Sequence, residues 1–181
     1  MDRKWILPIR VALIGAFALI HLQASDKNKT LAAEDAFELA TLKELQLQYT
    51  QAKQYYHKAV QLDPENPLYL NNLGVILYTL GEYRSAIEYH EHTLKIVEKI
   101  LGKNHPDVGT ILNNLGLAWD SLGKYQKAIQ YHEQALKINE KALGKDHPDV
   151  AGNLNNPLIK WLGSFLHRPQ SSVGDIPLSP T

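Results

Sequence analysis

Eight histidines are the side chains of this 181-residue sequence best suited to bind a metal ion or to transfer protons near neutral pH. Their spacing fits neither role. His90 and His92 flank Glu91, but a zinc-binding helix needs His-Glu-x-x-His, which places both imidazoles on one face. His105 and His147 each precede a proline, as loop residues at a helix start do. We therefore interpret the histidines as packing or loop residues and predict no metal site.

The sequence motifs of other catalytic chemistry are also absent. The sequence has no cysteine, which excludes disulfides, thiolate zinc sites and a cysteine nucleophile. It contains neither a phosphate-binding Gly-x-x-x-x-Gly-Lys-Ser/Thr loop nor a Gly-x-Ser-x-Gly nucleophile turn. Its 19 basic and 19 acidic residues cancel, without a basic run that would favour nucleic acid. We predict that the protein is not an enzyme and has no cofactor, small-molecule substrate or nucleic-acid partner.

The segments that position the remaining polar residues repeat every 42 residues. Leu-Asn-Asn-Leu-Gly at 70–74 returns at 112–116, Tyr-His-Glu at 89–91 returns at 131–133, and His-Pro-Asp-Val at 105–108 returns at 147–150. Between these segments apolar residues recur three and four apart, which is the helical period, and glycines mark the helix ends. A period of this length indicates stacked helical units that share one core.

A weaker unit precedes the two clear ones at a shorter distance. Tyr49 and Ala52 match Tyr83 and Ala86, which lie 34 residues later. The eight additional residues of the later units fall at 95–102 and 137–144. They predict a second helix that is longer by about two turns.

The residues of these units resemble the tetratricopeptide repeat (TPR), through Leu73, Gly74, Tyr83 and Ala86. The 42-residue form resembles the repeats of kinesin light chains and of many bacterial repeat proteins. The resemblance implies an all-α fold, a right-handed solenoid of antiparallel helix pairs followed by an irregular tail. The predicted array covers 33–156, with a degenerate repeat at 33–66, complete repeats at 67–108 and 109–150, and the start of a third at 151–156.

Both ends of the chain differ from the array. Residues 1–24 combine a basic start with an apolar run, which predicts a signal peptide or an N-terminal anchor, followed by a linker at 25–32. We expect an exported protein, either periplasmic or secreted, or one anchored by its N-terminus, with membrane contact only through residues 6–22 if they are not removed. Pro157 interrupts the third repeat. For residues 157–181 we predict an irregular, partly disordered tail, whose Trp161 and Phe165 would cover the open end of the array. The alternative is that this tail is an out-of-frame truncation of a longer array.

The resemblance also implies a binding surface, because the first helices of TPR units line a concave groove. The positions that commonly point into this groove are Asn71, Asn72, Val75, Tyr78, Asn113, Asn114, Leu117, Asp120 and Ser121. Asparagine amides both donate and accept, so a row of them can bind the backbone of an extended peptide. The alternative is that one asparagine of each pair joins one repeat to the next.

The groove positions argue against one known ligand class. The TPR domains that grip a C-terminal carboxylate do so with lysine and arginine, and these nine positions hold neither. We predict a non-catalytic module that binds a neutral or mixed-sequence segment of a partner protein. The alternatives are a structural protein whose repeats pack end to end, with possible self-association, and a fragment of a longer TPR protein.

Overall fold

A computed structural model describes the backbone of residues 6–144 and the side chains of residues 24–144. This part of the chain forms six helices: α1 (Ile6–Leu45), α2 (Tyr49–Leu62), α3 (Pro67–Thr79), α4 (Tyr83–Leu101), α5 (Pro106–Ser121) and α6 (Tyr125–Leu143). The chain divides into two compact units, Met1–Tyr69 and Leu70–Thr181. The predicted start of a third repeat and the predicted tail, with Pro157, Trp161 and Phe165, lie outside the described residues.

In the first unit, the second half of α1 packs against α2 through small residues and one aromatic cluster. Ala36 and Ala40 of α1 and Ala52 of α2 are buried, which allows the two helices to approach closely. The Tyr56 ring lies 5.5 Å from that of Phe37, and its hydroxyl donates a hydrogen bond of 2.6 Å to Glu44. The degenerate repeat therefore forms a complete helix pair.

The segment predicted as a linker, residues 25–32, is helical in the structure and continues α1. Residues 25–32 contain neither glycine nor proline, the two residues that most strongly interrupt a helix. The Thr30 hydroxyl also donates to the Asp26 carbonyl one turn earlier, at 3.0 Å. No helix of the described residues is both long and apolar enough to cross a membrane.

The turn between the two helices of each pair uses a residue with positive φ. Gly81 and Gly123 adopt φ values of 78° and 69° at this point. The first pair has Leu47 at the equivalent position, with a φ of 58°. A side chain in the left-handed region costs about 1–2 kcal/mol, so the first turn is strained where the later two are not.

Residues 95–101 lie in α4 as predicted, but this second helix is longer than α2 by five residues, which is less than the predicted two turns. The second helices α4 and α6 have 19 residues each, whereas α2 has 14. The longer period also lengthens the next first helix by three residues, since α5 has 16 residues and α3 has 13. His105 caps α5: its Nδ1 accepts from the backbone N–H of Asp107 at 3.2 Å, and Pro106 occupies the first turn.

The core of the second unit lies around α5. Its buried side chains come from α4, α5 and α6, and they are Ile87, Val97, Val108, Ile111, Leu112, Leu115, Ala118 and Ala135. Because α5 is covered by α4 and by α6, only part of its circumference stays open to solvent. The predicted binding residues of α5 are all at least partly exposed.

Candidate peptide-binding surface on α3 and α5

The nine predicted binding residues all lie on α3 and α5, and none of them is buried. Ser121 is exposed and the other eight are partly exposed. Buried residues alternate with them along the helices, as Leu73 and Gly74 do on α3 and Leu115 and Gly116 do on α5. Each helix thus keeps one face in the core and presents the predicted residues on another.

Two side-chain contacts join α3 to α5 along this surface. The Asn114 amide donates to the Asn71 side-chain oxygen at 3.5 Å, and the Ser121 hydroxyl donates to the Tyr78 hydroxyl at 3.3 Å. Successive contacts lie seven residues apart on each helix, which is about two turns. The two first helices therefore lie side by side, and their predicted residues share one surface.

Asn113 has a partner inside the fold. Its side-chain oxygen lies 2.7 Å from Nδ1 of His132 on α6, so that nitrogen carries the proton and donates. This contact ties α5 to α6 within one repeat, while the Asn71–Asn114 contact ties one repeat to the next. The structural role that the sequence left open for the asparagine pairs is thus present, alongside their partial exposure.

His90 and His132 pack against glycines rather than lining a reactive site. Both imidazoles are buried, and their Cε1 atoms lie 2.6 Å from where an alanine Cβ would stand at Gly74 and at Gly116. Burial lowers the pKa of His90 to about 4 and also lowers the pKa of His132. The rings are therefore neutral at physiological pH, and each fills the space that a missing side chain leaves.

Asp120 carries the charge among the nine predicted residues. Burial raises the pKa of its carboxyl, because partial removal of water disfavours the charged form.

Elsewhere in the described chain, no three His, Asp or Glu side chains converge in a way that could hold a metal ion. His105 and Asp107 approach to 3.5 Å, but this contact belongs to the cap of α5.

Family models match most of the described helices. A model for the tetratricopeptide repeat matches residues 65–141, and a second TPR model matches residues 48–81. The chain belongs to the TPR family. TPR repeats are typically non-enzymatic and serve in general as protein-interaction modules, which agrees with the site chemistry described above.

Solved TPR structures share the fold. BtubC (BKLC) from P. vanneervenii is 21% identical, with a TM-score of 0.69 over 84% of this chain and 72% of that chain. The N-terminal domain of stress-induced protein-1 from C. elegans is 18% identical, with a TM-score of 0.59 over 75% and 97%. The first TPR of Spaghetti (RPAP3), bound to the HSP90 peptide SRMEEVD, is 16% identical, with a TM-score of 0.58 over 77% and 96%. A comparison with curated sequences found no significant match.

These matches confirm the fold class predicted from the sequence, an all-α TPR-type solenoid of antiparallel helix pairs. The matched models begin at residue 48, so the pairing of α1 with α2 is known from the structure rather than from the family models. Sequence reasoning found the exposed residues of α3 and α5 but missed the partner of Asn113. The only sequence signal for that contact was the joint recurrence of Asn71 with His90 and of Asn113 with His132, each pair 19 residues apart.

Proposed function

We propose that this TPR protein is a non-catalytic module that binds an extended segment of a partner protein on the surface formed by α3 and α5. The observation that carries the proposal is the shared surface itself. Nine accessible side chains lie on two adjacent helices, which the Asn71–Asn114 and Tyr78–Ser121 contacts show to lie side by side.

The amides of this surface suit a peptide backbone. The Asn71–Asn114 contact is 3.5 Å long, whereas a well-formed N–H···O bond measures about 2.9–3.0 Å. A weak internal contact costs little to replace, so both amides can turn to the N–H and C=O groups of a ligand. Val75 and Leu117 supply apolar area beside them, which favours binding of a segment with one or two apolar side chains.

The matched structure of the first TPR of Spaghetti (RPAP3) supports a peptide as the ligand class, since that protein is bound to an HSP90 peptide. The 42-residue period supports placing the two clear repeats with those of kinesin light chains. Neither comparison identifies the partner, so the choice of ligand rests on the side chains of α3 and α5.

Peptide selection tests this function. A phage-displayed library of random nonapeptides is selected on the full chain, and the recovered peptides are measured by fluorescence anisotropy. We expect Asn72→Ala with Asn114→Ala to weaken binding at least 10-fold. The matched control is Asn104→Ala, an exposed loop asparagine, which should leave binding unchanged. Failure to recover any peptide, or equal binding by both variants, would contradict the proposed function.

End-to-end assembly is the second candidate function, and one observation favours it. Leu31, Leu39 and Leu42 are 42–48% exposed on one face of α1. Exposed leucines in a row are typical of surfaces that pack against another chain. Leu39→Glu with Leu42→Glu should abolish self-association in sedimentation velocity, and deletion of 157–181 should perturb it. A wild-type chain that sediments as a monomer at high concentration would reject this candidate.

We further propose that the protein acts outside the cytoplasm, either after removal of residues 1–24 or anchored by them. The support is the basic start and the apolar run of the sequence. Cell fractionation followed by mass determination of the recovered chain tests both forms. Full-length chain in the cytoplasmic fraction would rule out export.

A further inference from the structure

The surface of α3 and α5 is unusual in its charge. Helix α3 has no charged residue, and α5 has only two, Asp107 and Asp120. The two helices together thus present carboxylates and no cation. An acidic segment would find no positive partner on this surface, whereas a basic one would meet no repulsion from it.

Asp120 has no partner within the described residues. No hydrogen bond or ion pair joins its carboxylate to another described side chain, although Lys124 follows one turn later in the sequence. The next lysine, Lys127, has its ammonium 4.0 Å from the centre of the Trp119 ring. A partly desolvated and unpaired carboxylate is less stable than one that meets a cation.

The position of Asp120 places this carboxylate on the proposed binding surface. The next residue, Ser121, donates to the Tyr78 hydroxyl of α3, and Leu117 lies one turn before it. Tyr78 is the equivalent of Asp120 in the preceding repeat, 42 residues earlier, and is also partly exposed. A ligand lying across Val75 and Leu117 would therefore reach an aromatic ring in one repeat and a carboxylate in the next.

We propose that the protein segment bound on α3 and α5 carries an arginine or lysine that pairs with Asp120. This inference rests on the proposed function, and it adds the charge of the ligand. A charge-assisted hydrogen bond from a guanidinium or ammonium to a partly buried carboxylate is about twice as strong as a neutral one. Selectivity for a basic segment follows, in contrast to TPR domains that use cations to grip a carboxylate.

The test is a parallel selection of random phage-displayed nonapeptides on four full chains: wild type, Asp120→Asn, Asp120→Lys and Asp107→Asn. On the wild type we expect arginine and lysine to be enriched at least 3-fold over the starting library. The enrichment should disappear with Asp120→Asn and change to aspartate and glutamate with Asp120→Lys. Asp107→Asn removes one charge from the same helix in its first turn, and it should select like the wild type.

A single selected peptide gives the second measurement. Replacing its arginine by citrulline, which keeps the shape and removes the charge, should weaken binding to the wild type about 10-fold and binding to Asp120→Asn less than 2-fold. Selected peptides without basic enrichment would overturn this inference and leave the proposed function standing. Selection of no peptide at all would overturn both.

Discussion

A methyl group on Gly116 would enter space that the His132 ring occupies. An alanine Cβ at this position would stand 2.6 Å from Cε1 and 2.7 Å from Nε2 of the imidazole, whereas nonbonded carbons normally approach to about 3.5–4.0 Å. The ring is fully buried, and its Nδ1 is held by Asn113 at 2.7 Å. Gly116→Ala must therefore displace the ring and weaken this hydrogen bond.

Three contributions set the size of the effect. Overpacking a core by a methyl group costs about 1–3 kcal/mol. Loss of the bond between Asn113 and His132 costs about 1 kcal/mol more. Alanine in place of glycine within a helix returns about 0.5–1 kcal/mol. We expect Gly116→Ala to lower the free energy of unfolding by about 2 kcal/mol.

The preceding repeat provides a matched comparison. An alanine Cβ at Gly74 would also stand 2.6 Å from the imidazole Cε1, in this case that of His90. Nδ1 of His90 has no hydrogen-bond partner among the described residues, so this ring can turn without breaking a bond there. Gly74→Ala should then cost about 1 kcal/mol, roughly half the effect of Gly116→Ala.

Urea denaturation of the full chain, followed by far-UV circular dichroism, measures both variants. The double variant Gly116→Ala with His132→Ala provides the control, because removal of the ring leaves room for the methyl group. Relative to His132→Ala alone, it should be more stable by about 0.5–1 kcal/mol, the helix propensity of alanine. A Gly116→Ala chain as stable as the wild type would refute the proposed contact, and equal costs in the two repeats would refute the role of Asn113.

Three further predictions concern single residues. Leu47→Gly should raise the free energy of unfolding by about 1 kcal/mol in urea denaturation, because the φ of Leu47 is 58° and its side chain is 72% exposed. Leu47→Ala keeps the backbone strain and should leave the free energy of unfolding unchanged. Asn139→Val should stabilise by at least about 1 kcal/mol, because the Asn139 side-chain oxygen is buried and has no partner among residues 24–144, where the preceding repeat has Val97. An unchanged urea midpoint would contradict this. His90 should make the protein less stable in acid. The pKa of its imidazole is about 4 in the folded state and about 6.5 in the unfolded state, so the unfolded state binds more protons as the pH drops below 6.5. Between pH 7.5 and pH 5 the wild type should lose about 2 kcal/mol more than His90→Gln, and parallel pH profiles of the two proteins would reject the assignment.

The repeat period was sufficient to predict the helix pairs, because each pair recurs with its glycines and its apolar spacing intact. Gly81 and Gly123 mark the same turn in two repeats, and the structure places both in the left-handed region. The degenerate pair was harder to predict, since Leu47 replaces the glycine and the turn forms without its usual residue. Tertiary packing of Tyr56 and Ala52 stabilises a turn that the local sequence does not favour.

The features that the sequence did not predict depend on contacts between residues that are far apart in the chain. The pattern allowed the eight additional residues of the longer period to lengthen one helix. Instead α4 is longer than α2 by five residues and α5 is longer than α3 by three, because the cap formed by His105 starts α5 earlier. The residues of the candidate surface were found by position within the repeat. The hydrogen bond between Asn113 and His132 was not predicted, because a contact between residues 19 apart has no local sequence signature. The partial burial of Asp120 likewise became visible only in three dimensions.

The differences between the two clear repeats indicate where specificity would be located. Leu73, Gly74 and His90 recur unchanged 42 residues later, and all of them are buried. A change at such a position disturbs a contact and costs about 1–3 kcal/mol. Two partly exposed residues of α3 differ from their equivalents on α5, since Val75 becomes leucine and Tyr78 becomes aspartate, whereas Asn71 and Asn72 recur. Exposed positions change at a cost within about 0.5 kcal/mol, so exposure alone permits this divergence. It does not account for Asp120, because that carboxyl is partly buried and no cation of the described residues pairs with it, a cost that a neutral side chain would avoid. Under the proposal above, the cation that would offset this cost is the one that the ligand carries.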